Sequence, residues 1–269
     1  MFMLIVKYVL LGFIQGVTEF LPISSSGHLV LVADLISFDK VNELALAAML
    51  NLATVLAIIV YFRSDIWILL QTLFRKLEGL PVSQKNITLL QSLIIGTIPA
   101  AVAGFFLESL IDKYFFNPLM VAVMLSIVSF FFIYVEWRYR QIIKKKNLNL
   151  KISFIVGLAQ ILAILPGVSR SGSTIGAGML LGLSRIEAVR FSFLLGIPIS
   201  LGVGLKKYLD LLSLDGDVDW GLIFLSCLVA FVSALVVIHF FLKFIRKYTF
   251  WPFVWYGFML SIVIKYLYS

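Results

Sequence analysis

Residues 15–28 read Gln15-Gly-Val-Thr-Glu19-Phe-Leu-Pro22-Ile-Ser24-Ser25-Ser26-Gly27-His28, inside a stretch, Tyr8–Leu35, that is otherwise apolar apart from Asp34. A proline removes a backbone donor and clashes with the preceding helical turn, and a serine run offers the backbone hydrogen bonds that compete with a helix. The pattern predicts two short helices separated by a polar break, entering a membrane and leaving by the same face. Broken backbone at membrane depth persists only where it is buried in protein or lines a wet cavity. Ile152–Ser184 has the same design, with Pro166-Gly167-Val-Ser169-Arg170-Ser171-Gly172-Ser173-Thr174 at its break.

The surrounding chain supplies the membrane context. Of 269 residues 61% are hydrophobic and only 13% charged, about half the charge of a soluble domain. Such an apolar chain is not disordered, and one cysteine, Cys227, excludes a disulfide framework or a cysteine-rich metal site. Uncharged runs fall at Leu44–Phe62, Asn86–Leu107, Tyr114–Val135, Trp220–Leu242 and Tyr248–Ile264, each of 17 to 23 residues. These lengths cross about 30 Å of hydrocarbon as helices. Phe191–Leu205 becomes a sixth span if Arg190 or Lys206 snorkels to the interface. Trp67, Trp137, Trp220, Trp251 and Trp255 fall near span ends and read as interfacial anchors.

Charge sets the expected orientation. Arg63–Lys85, Glu136–Lys151, Arg185–Arg190 and Lys243–Lys247 carry 15 of the 22 Lys and Arg, and six more lie in the opposite segments at Lys7, Lys40, Lys113, Lys206, Lys207 and Lys265. The crowded side is expected to be cytoplasmic, with both termini outside. The net charge of +8 thus reports topology, and a nucleic-acid partner is not expected. No cleavable leader is expected either, since the first apolar stretch runs straight into the Glu19–His28 motif.

A shift of 145 residues superposes Gly12 on Gly157, Gln15 on Gln160, Ser24 on Ser169, Ser26 on Ser171 and Gly27 on Gly172. Phe116-Asn117-Pro118 resembles Phe250-Trp251-Pro252 at the start of each half's last span. The expected fold is therefore an all-α integral membrane protein in a single membrane domain, with six transmembrane helices plus two re-entrant helix–loop–helix hairpins. Each half, about 1–140 and about 150–269, would be one hairpin and three spans. An odd span count inserts the second half upside down, giving an inverted-topology repeat whose polar tips meet near the midplane.

That meeting place names the candidate site. Gln15 and Glu19 are four residues apart and share a helix face. Ser24, Ser25, Ser26 and Gly27, with Ser169, Ser171, Gly172 and Thr174 on the other tip, are the parts of an anion cradle at a helix N-terminus. Arg170 adds a planar fork suited to phosphate, and His28 follows Glu19 by nine residues across the break. The set looks like a phosphoryl-transfer site. Plainer readings compete: Glu19 and Arg170 as a structural ion pair, or serines bonding neighbouring carbonyls. Intramembrane ionisable groups favour function. His239, alone in an apolar span, reads as structural, and Asn51, Asp34 and Asn117 as packing or interface residues.

At these residues the chain resembles the undecaprenyl-diphosphate phosphatase family, also called the bacitracin-resistance family. Gln15 to Glu19 followed by Pro-x-Ser-Ser-x-Gly-His matches one family motif, and Pro166 to Thr174 the other. The likeness extends to Ile95-Gly96-Thr97-Ile98-Pro99 and Phe193-Leu194-Leu195-Gly196-Ile197-Pro198. The resemblance implies a bacterial plasma-membrane enzyme that hydrolyses the terminal phosphate of undecaprenyl diphosphate, recycling the carrier lipid of cell-wall synthesis, with its site open to the extracytoplasmic side. It implies Mg²⁺ or Ca²⁺, held by Glu19, and partners that are the polyprenyl diphosphate and membrane lipids, with a homodimer left open. Glu19, Ser25, His28 and Arg170 are the catalytic residues carried over, supported by Gln15, Ser24, Ser26, Gly27, Ser169, Ser171, Gly172 and Thr174 for substrate. Gln15 stands where many members have Glu, which leaves one carboxylate at that pair. Ser25 is expected to be the nucleophile and His28 its acid–base partner, with attack by water as the rival. A transporter or lipid flippase, which the repeat also suits, is the alternative function.

Overall fold

The computed structural model describes residues 1–115, 117–143, 145–212 and 218–268, with the side chains at 40–44, 108–109, 112–113 and 211–212 left out. The expectations resting on Phe116, Lys144 and the side chains of Lys40 and Lys113 lie outside the described residues. Everything regular among the described residues is helical.

The first hairpin is α1 (Phe2–Thr18) and α2 (Ser25–Leu35), with Pro22 in the break. Its ends return to one another: Lys7 Nζ donates to the Ser37 carbonyl at 3.4 Å. Next come α3 (Lys40–Tyr61), α4 (Arg63–Leu77), α5 (Gln84–Phe115) and α6 (Pro118–Tyr139). The second hairpin is α7 (Leu150–Ile161), a 3-10 turn at Leu162–Ile164, and α8 (Arg170–Leu180). It too closes on itself, since the Lys146 amide donates to the Gly182 carbonyl at 2.8 Å. Then follow α9 (Arg185–Leu212), α10 (Trp220–Lys247) and α11 (Trp251–Tyr268).

Among the described residues four helices, α5, α6, α9 and α10, are long and apolar enough to cross a membrane, and up to five spans result when α3 and α4 count as one bent pair. Tyr248–Ile264, also expected to span, forms most of α11, whose 18 residues are diluted by Lys265 and the tyrosines and fall outside that set. One boundary moves: Tyr114 and Phe115 end α5, and α6 begins after Asn117, whose side chain accepts from the Met120 amide at 2.8 Å. Proline at the first helical position costs no hydrogen bond.

The charges of Arg63–Lys85 predict a basic connection, yet most of it is α4, turned 80° from α3. Its helix is electrically well formed, with Asp65 in the first turn and Arg75 and Lys76 in the last. Trp67, Leu70 and Phe74 on it are exposed.

The packing has a paired pattern. α1 lies along α10 and α7 along α5, while α3 meets α9 and α6 meets α11. Glycines permit the first two approaches. A Cβ on Gly12 would come within 2.3 Å of the Ser226 carbonyl, and one on Gly157 within 2.4 Å of the Gly96 carbonyl. At the arginine-rich end, Arg185 holds the buried Glu136 with two hydrogen bonds of 2.7 and 2.6 Å. Glu136 also accepts from the Phe250 amide at 2.8 Å, which joins α6, α9 and α11. Asp65 pairs with Arg190 at the same end. α5 meets α9 less extensively than α10 meets α3, and a cavity of about 420 Å³ opens there, against both hairpin tips.

Candidate active site

Each tip is built by the same local device. Ser24 caps α2, its Oγ accepting from the Gly27 amide at 3.3 Å, and Ser169 caps α8, accepting from the Gly172 amide at 3.1 Å. Capping satisfies one of the donors every helix start leaves open. The remaining first-turn amides and the positive end of the helix dipole face the anion-binding direction. Ser25 and Ser26 from one tip, and Ser169 and Arg170 from the other, line the cavity. Ser24 reaches its position at φ 68°, a left-handed conformation that a non-glycine residue adopts only when its surroundings enforce it. On the other tip, Gly167 takes the turn at φ 91°.

Glu19 follows the last residue of α1, with its amide bonded to the Gln15 carbonyl at 3.0 Å. Its carboxylate joins the tips. Oε2 accepts from the Ser25 hydroxyl at 2.6 Å and from Gln15 Nε2 at 3.1 Å. Oε1 accepts from Arg170 Nη2 at 2.7 Å. Both ends of this ion pair are largely buried, with side chains 13% and 9% exposed. A serine hydroxyl is thereby in contact with a carboxylate able to take its proton, directly beside a guanidinium able to hold an anion.

The other expected site residues separate by position. Ser24 and Ser26 pair their hydroxyls at 3.3 Å on the cavity wall. Ser171 and Ser169 both donate to the Leu21 carbonyl, at 3.2 and 3.4 Å, which fastens the second tip to the first. Thr174 turns away, bonding the Arg170 carbonyl at 2.7 Å and the Ser192 hydroxyl at 2.6 Å. Gly27 and Gly172 serve close approach, since a Cβ on either would lie within 3 Å of Val121 or Phe132.

His28 does not reach Ser25 in this arrangement. Its Nδ1 meets the Ser24 carbonyl at 2.7 Å and its Nε2 the Tyr256 hydroxyl at 2.6 Å. A carbonyl only accepts, so Nδ1 carries the proton and Tyr256 donates to Nε2. The carboxylate that contacts Ser25 is Glu19, a pairing that the expected His28–Ser25 couple did not contain. Tyr256 itself was not singled out from sequence, because a tyrosine in an aromatic-rich span reads as an anchor.

Asn51, Thr97 and Gln160 also line the cavity and were not expected at the site. Gly196 was missed as well. A Cβ there would stand 1.5 Å from Arg170 Nη1, so only glycine leaves room for that guanidinium. The signal was present in Leu-Leu-Gly-Ile-Pro, but nothing local says what the glycine faces.

Mg²⁺ or Ca²⁺ does not fit Glu19 as it stands here. Both its carboxylate oxygens already accept from donors, one of them a guanidinium whose positive charge opposes a cation at the same place. No group of three His, Cys, Asp or Glu gathers among the described residues. Among the described residues, the buried Gln15 Oε1, which has no hydrogen-bond partner, is a spare oxygen beside it.

Apolar helices around a cavity, with a carboxylate-bound serine beside a guanidinium at its polar end, define a multi-pass membrane protein. Residues 8–263 match the family described as Bacitracin resistance protein BacA. The chain belongs to that family. It is 38% identical to undecaprenyl-diphosphatase 1 of Pseudoalteromonas translucida, with 97% of each chain covered. It is 39% identical to an undecaprenyl-diphosphatase of Alteromonas mediterranea, over 97% of this chain and 98% of that one. A Psychrobacter undecaprenyl-diphosphatase is 40% identical, over 97% and 94%.

Proposed function

We propose that the chain is an undecaprenyl-diphosphate phosphatase, releasing inorganic phosphate and leaving undecaprenyl phosphate for cell-wall synthesis. The full-length relatives bearing that name support it. The observation that carries it in the molecule is the Ser25–Glu19–Arg170 cluster, with contacts of 2.6 and 2.7 Å at the cavity's polar end. No comparable support favours a transporter.

In this reading the diphosphate enters with its outer phosphate against Arg170 and the first turns of α2 and α8. The Ser25 oxygen attacks the outer phosphorus as its proton passes to Glu19 Oε2, and the bond to the bridging oxygen breaks. Undecaprenyl phosphate leaves, and water then cleaves the phosphoserine to give inorganic phosphate and restore the serine. Arg170 and the tip amides hold the charge that builds on the equatorial oxygens. His28, tied to the Ser24 carbonyl and to Tyr256, holds the strained cap in place and so positions Ser25. No step runs through a metal ion. A requirement for Mg²⁺ or Ca²⁺ stays in the proposal without Glu19 as its ligand, and chelation tests it.

The finer architecture belongs to the same reading: six spans and two re-entrant hairpins as inverted repeats in the bacterial inner membrane, open to the extracytoplasmic side. Support comes from the self-closing hairpins, the paired packing, and the gathering of Glu136, Arg185, Asp65 and Arg190 at one end. The functional test is phosphate release from undecaprenyl diphosphate by detergent-purified wild type, Glu19→Gln and Arg170→Ala, where no gradient exists. Wild-type release that both variants lose supports the proposal, and absence of release from wild type rejects it.

A further inference from the structure

Gln160 is the second-to-last residue of α7, the first helix of the second hairpin, on the same stripe as Ile152, Val156 and Gly157. It is 2% exposed, it lines the cavity, and neither its amide nitrogen nor its amide oxygen has a hydrogen-bond partner. Exchanging the two atoms changes nothing, since both are unpaired. Buried polar groups are nearly always satisfied, so an orphaned amide facing a cavity points to a partner that arrives from outside.

Its counterpart shows what is missing. Gln15 stands 145 residues earlier and spends its Nε2 on Glu19, four residues on. The residue four after Gln160 is Ile164, which offers nothing to bond. Gln160 is therefore free to serve a ligand. Its location narrows which part of the ligand. α7 crosses α5 where Gly157 meets the Gly96 carbonyl, and beyond that crossing α5 lines the cavity with Ala100, Ala101 and Phe105, while α9 adds Lys206 and Lys207 to its wall. Gln160 thus sits between the polar tips and an α5 wall suited to a hydrocarbon chain.

We propose that Gln160 binds the inner phosphate of the lipid diphosphate, the one that stays with the prenyl chain, through its side-chain amide. The inference rests on the phosphatase reading above. Nε2 donates to a phosphate oxygen, and Oε1 accepts from water solvating the same group.

The experiment compares wild type with Gln160→Leu and Gln160→Glu, purified in detergent. For both variants the KM for undecaprenyl diphosphate rises about tenfold while kcat stays within about threefold, the pattern of lost ground-state and transition-state binding together. Inhibition by undecaprenyl phosphate, which retains only the inner phosphate, weakens by a similar factor, and inhibition by inorganic phosphate stays as in wild type. Gln160→Leu melts no lower than wild type, because it removes an unpaired amide from a buried place. Unchanged KM together with unchanged undecaprenyl phosphate inhibition overturns the proposal, and so does a lowered melting temperature with normal KM, which assigns Gln160 to packing. A wild-type protein that releases no phosphate fails the phosphatase reading instead. Binding of undecaprenyl phosphate, followed by thermal shift in wild type and variants, then still decides Gln160.

Discussion

In the first hairpin Ser24 caps α2 and pairs its hydroxyl with Ser26, and in the second Ser169 caps α8 and pairs with Ser171. The two capped helices have 11 residues each. Yet the residue that follows each cap differs: Ser25 in one, Arg170 in the other. The same 145-residue offset sets Glu19 against Ile164 and Asn51 against Gly196. The repeated frame supplies geometry, two helix starts aimed at one cavity. The departures from repetition set a hydroxyl against a carboxylate on one side and a guanidinium on the other, and the proposed chemistry rests on that difference. Residue size follows on one side: where the second half carries a large Arg170, its α9 offers Gly196.

The deepest break in this comparison is removal of the first tip's own chemistry. Ser25→Ala is expected to lower phosphate release by about 10³-fold, a typical scale for losing a base-assisted nucleophile. Labelled phosphate trapped on the wild-type protein should vanish in the variant. If Ser25→Ala turns over at a near-normal rate, water is the attacking group and the covalent step is wrong.

The second tip is tested by Arg170→Lys, which keeps the charge and removes the fork. A loss of at least about tenfold in kcat/KM is expected, roughly 1.4 kcal/mol of barrier. Unchanged activity would assign the Glu19–Arg170 pair to structure alone. Gly196→Ala asks the same question from the neighbouring helix. Its methyl would occupy the place of Arg170 Nη1, and a flexible side chain yields before a backbone does. The expected result is about a fivefold loss of kcat/KM with the fold retained, on the scale of a misplaced contact. Near wild-type kcat/KM would show that the guanidinium works from another position.

Much of this frame is legible in the chain itself because membrane solvent punishes irregular backbone. Pro22, Pro166 and the serine–glycine runs stand out against apolar surroundings, and the 145-residue match of Ser24 with Ser169 aligns two real caps. What stays hidden depends on contacts between distant segments. His28 is conspicuous, but its partner Tyr256 is 228 residues away and gives no local sign of the hydrogen bond. Glu19 as the group touching Ser25 depends on how the break folds back over six residues, which no helical or strand period describes. α4 was read as a connection because its charges are obvious, while its helical period is only an amphipathic one. Gln160 is visible as Gln15's match, but the lack of a partner for its amide is a property only the packed structure has.

The smallest expected effect concerns the one position where this first tip departs from the motif it resembles. Gln15→Glu would place a second carboxylate 3.1 Å from Glu19 Oε2, where the amide now donates. Two like charges at that distance cannot both stay ionised without a compensating cation. With only Arg170 present, the variant should favour a divalent ion more strongly than wild type does, because each added carboxylate raises affinity for a hard cation. After chelation and titration with Mg²⁺ or Ca²⁺, half-maximal phosphate release is expected at about threefold lower metal concentration in Gln15→Glu, with the rate at saturating metal little changed. A wild-type enzyme indifferent to chelation would remove the ion from the reaction. A midpoint that does not move would place the ion on the substrate's oxygens alone, beyond reach of the first tip. Either result sharpens the contrast between the halves: Glu19 would then act as a base poised by Arg170, and the asymmetry of the tips would be an asymmetry of proton transfer and anion holding.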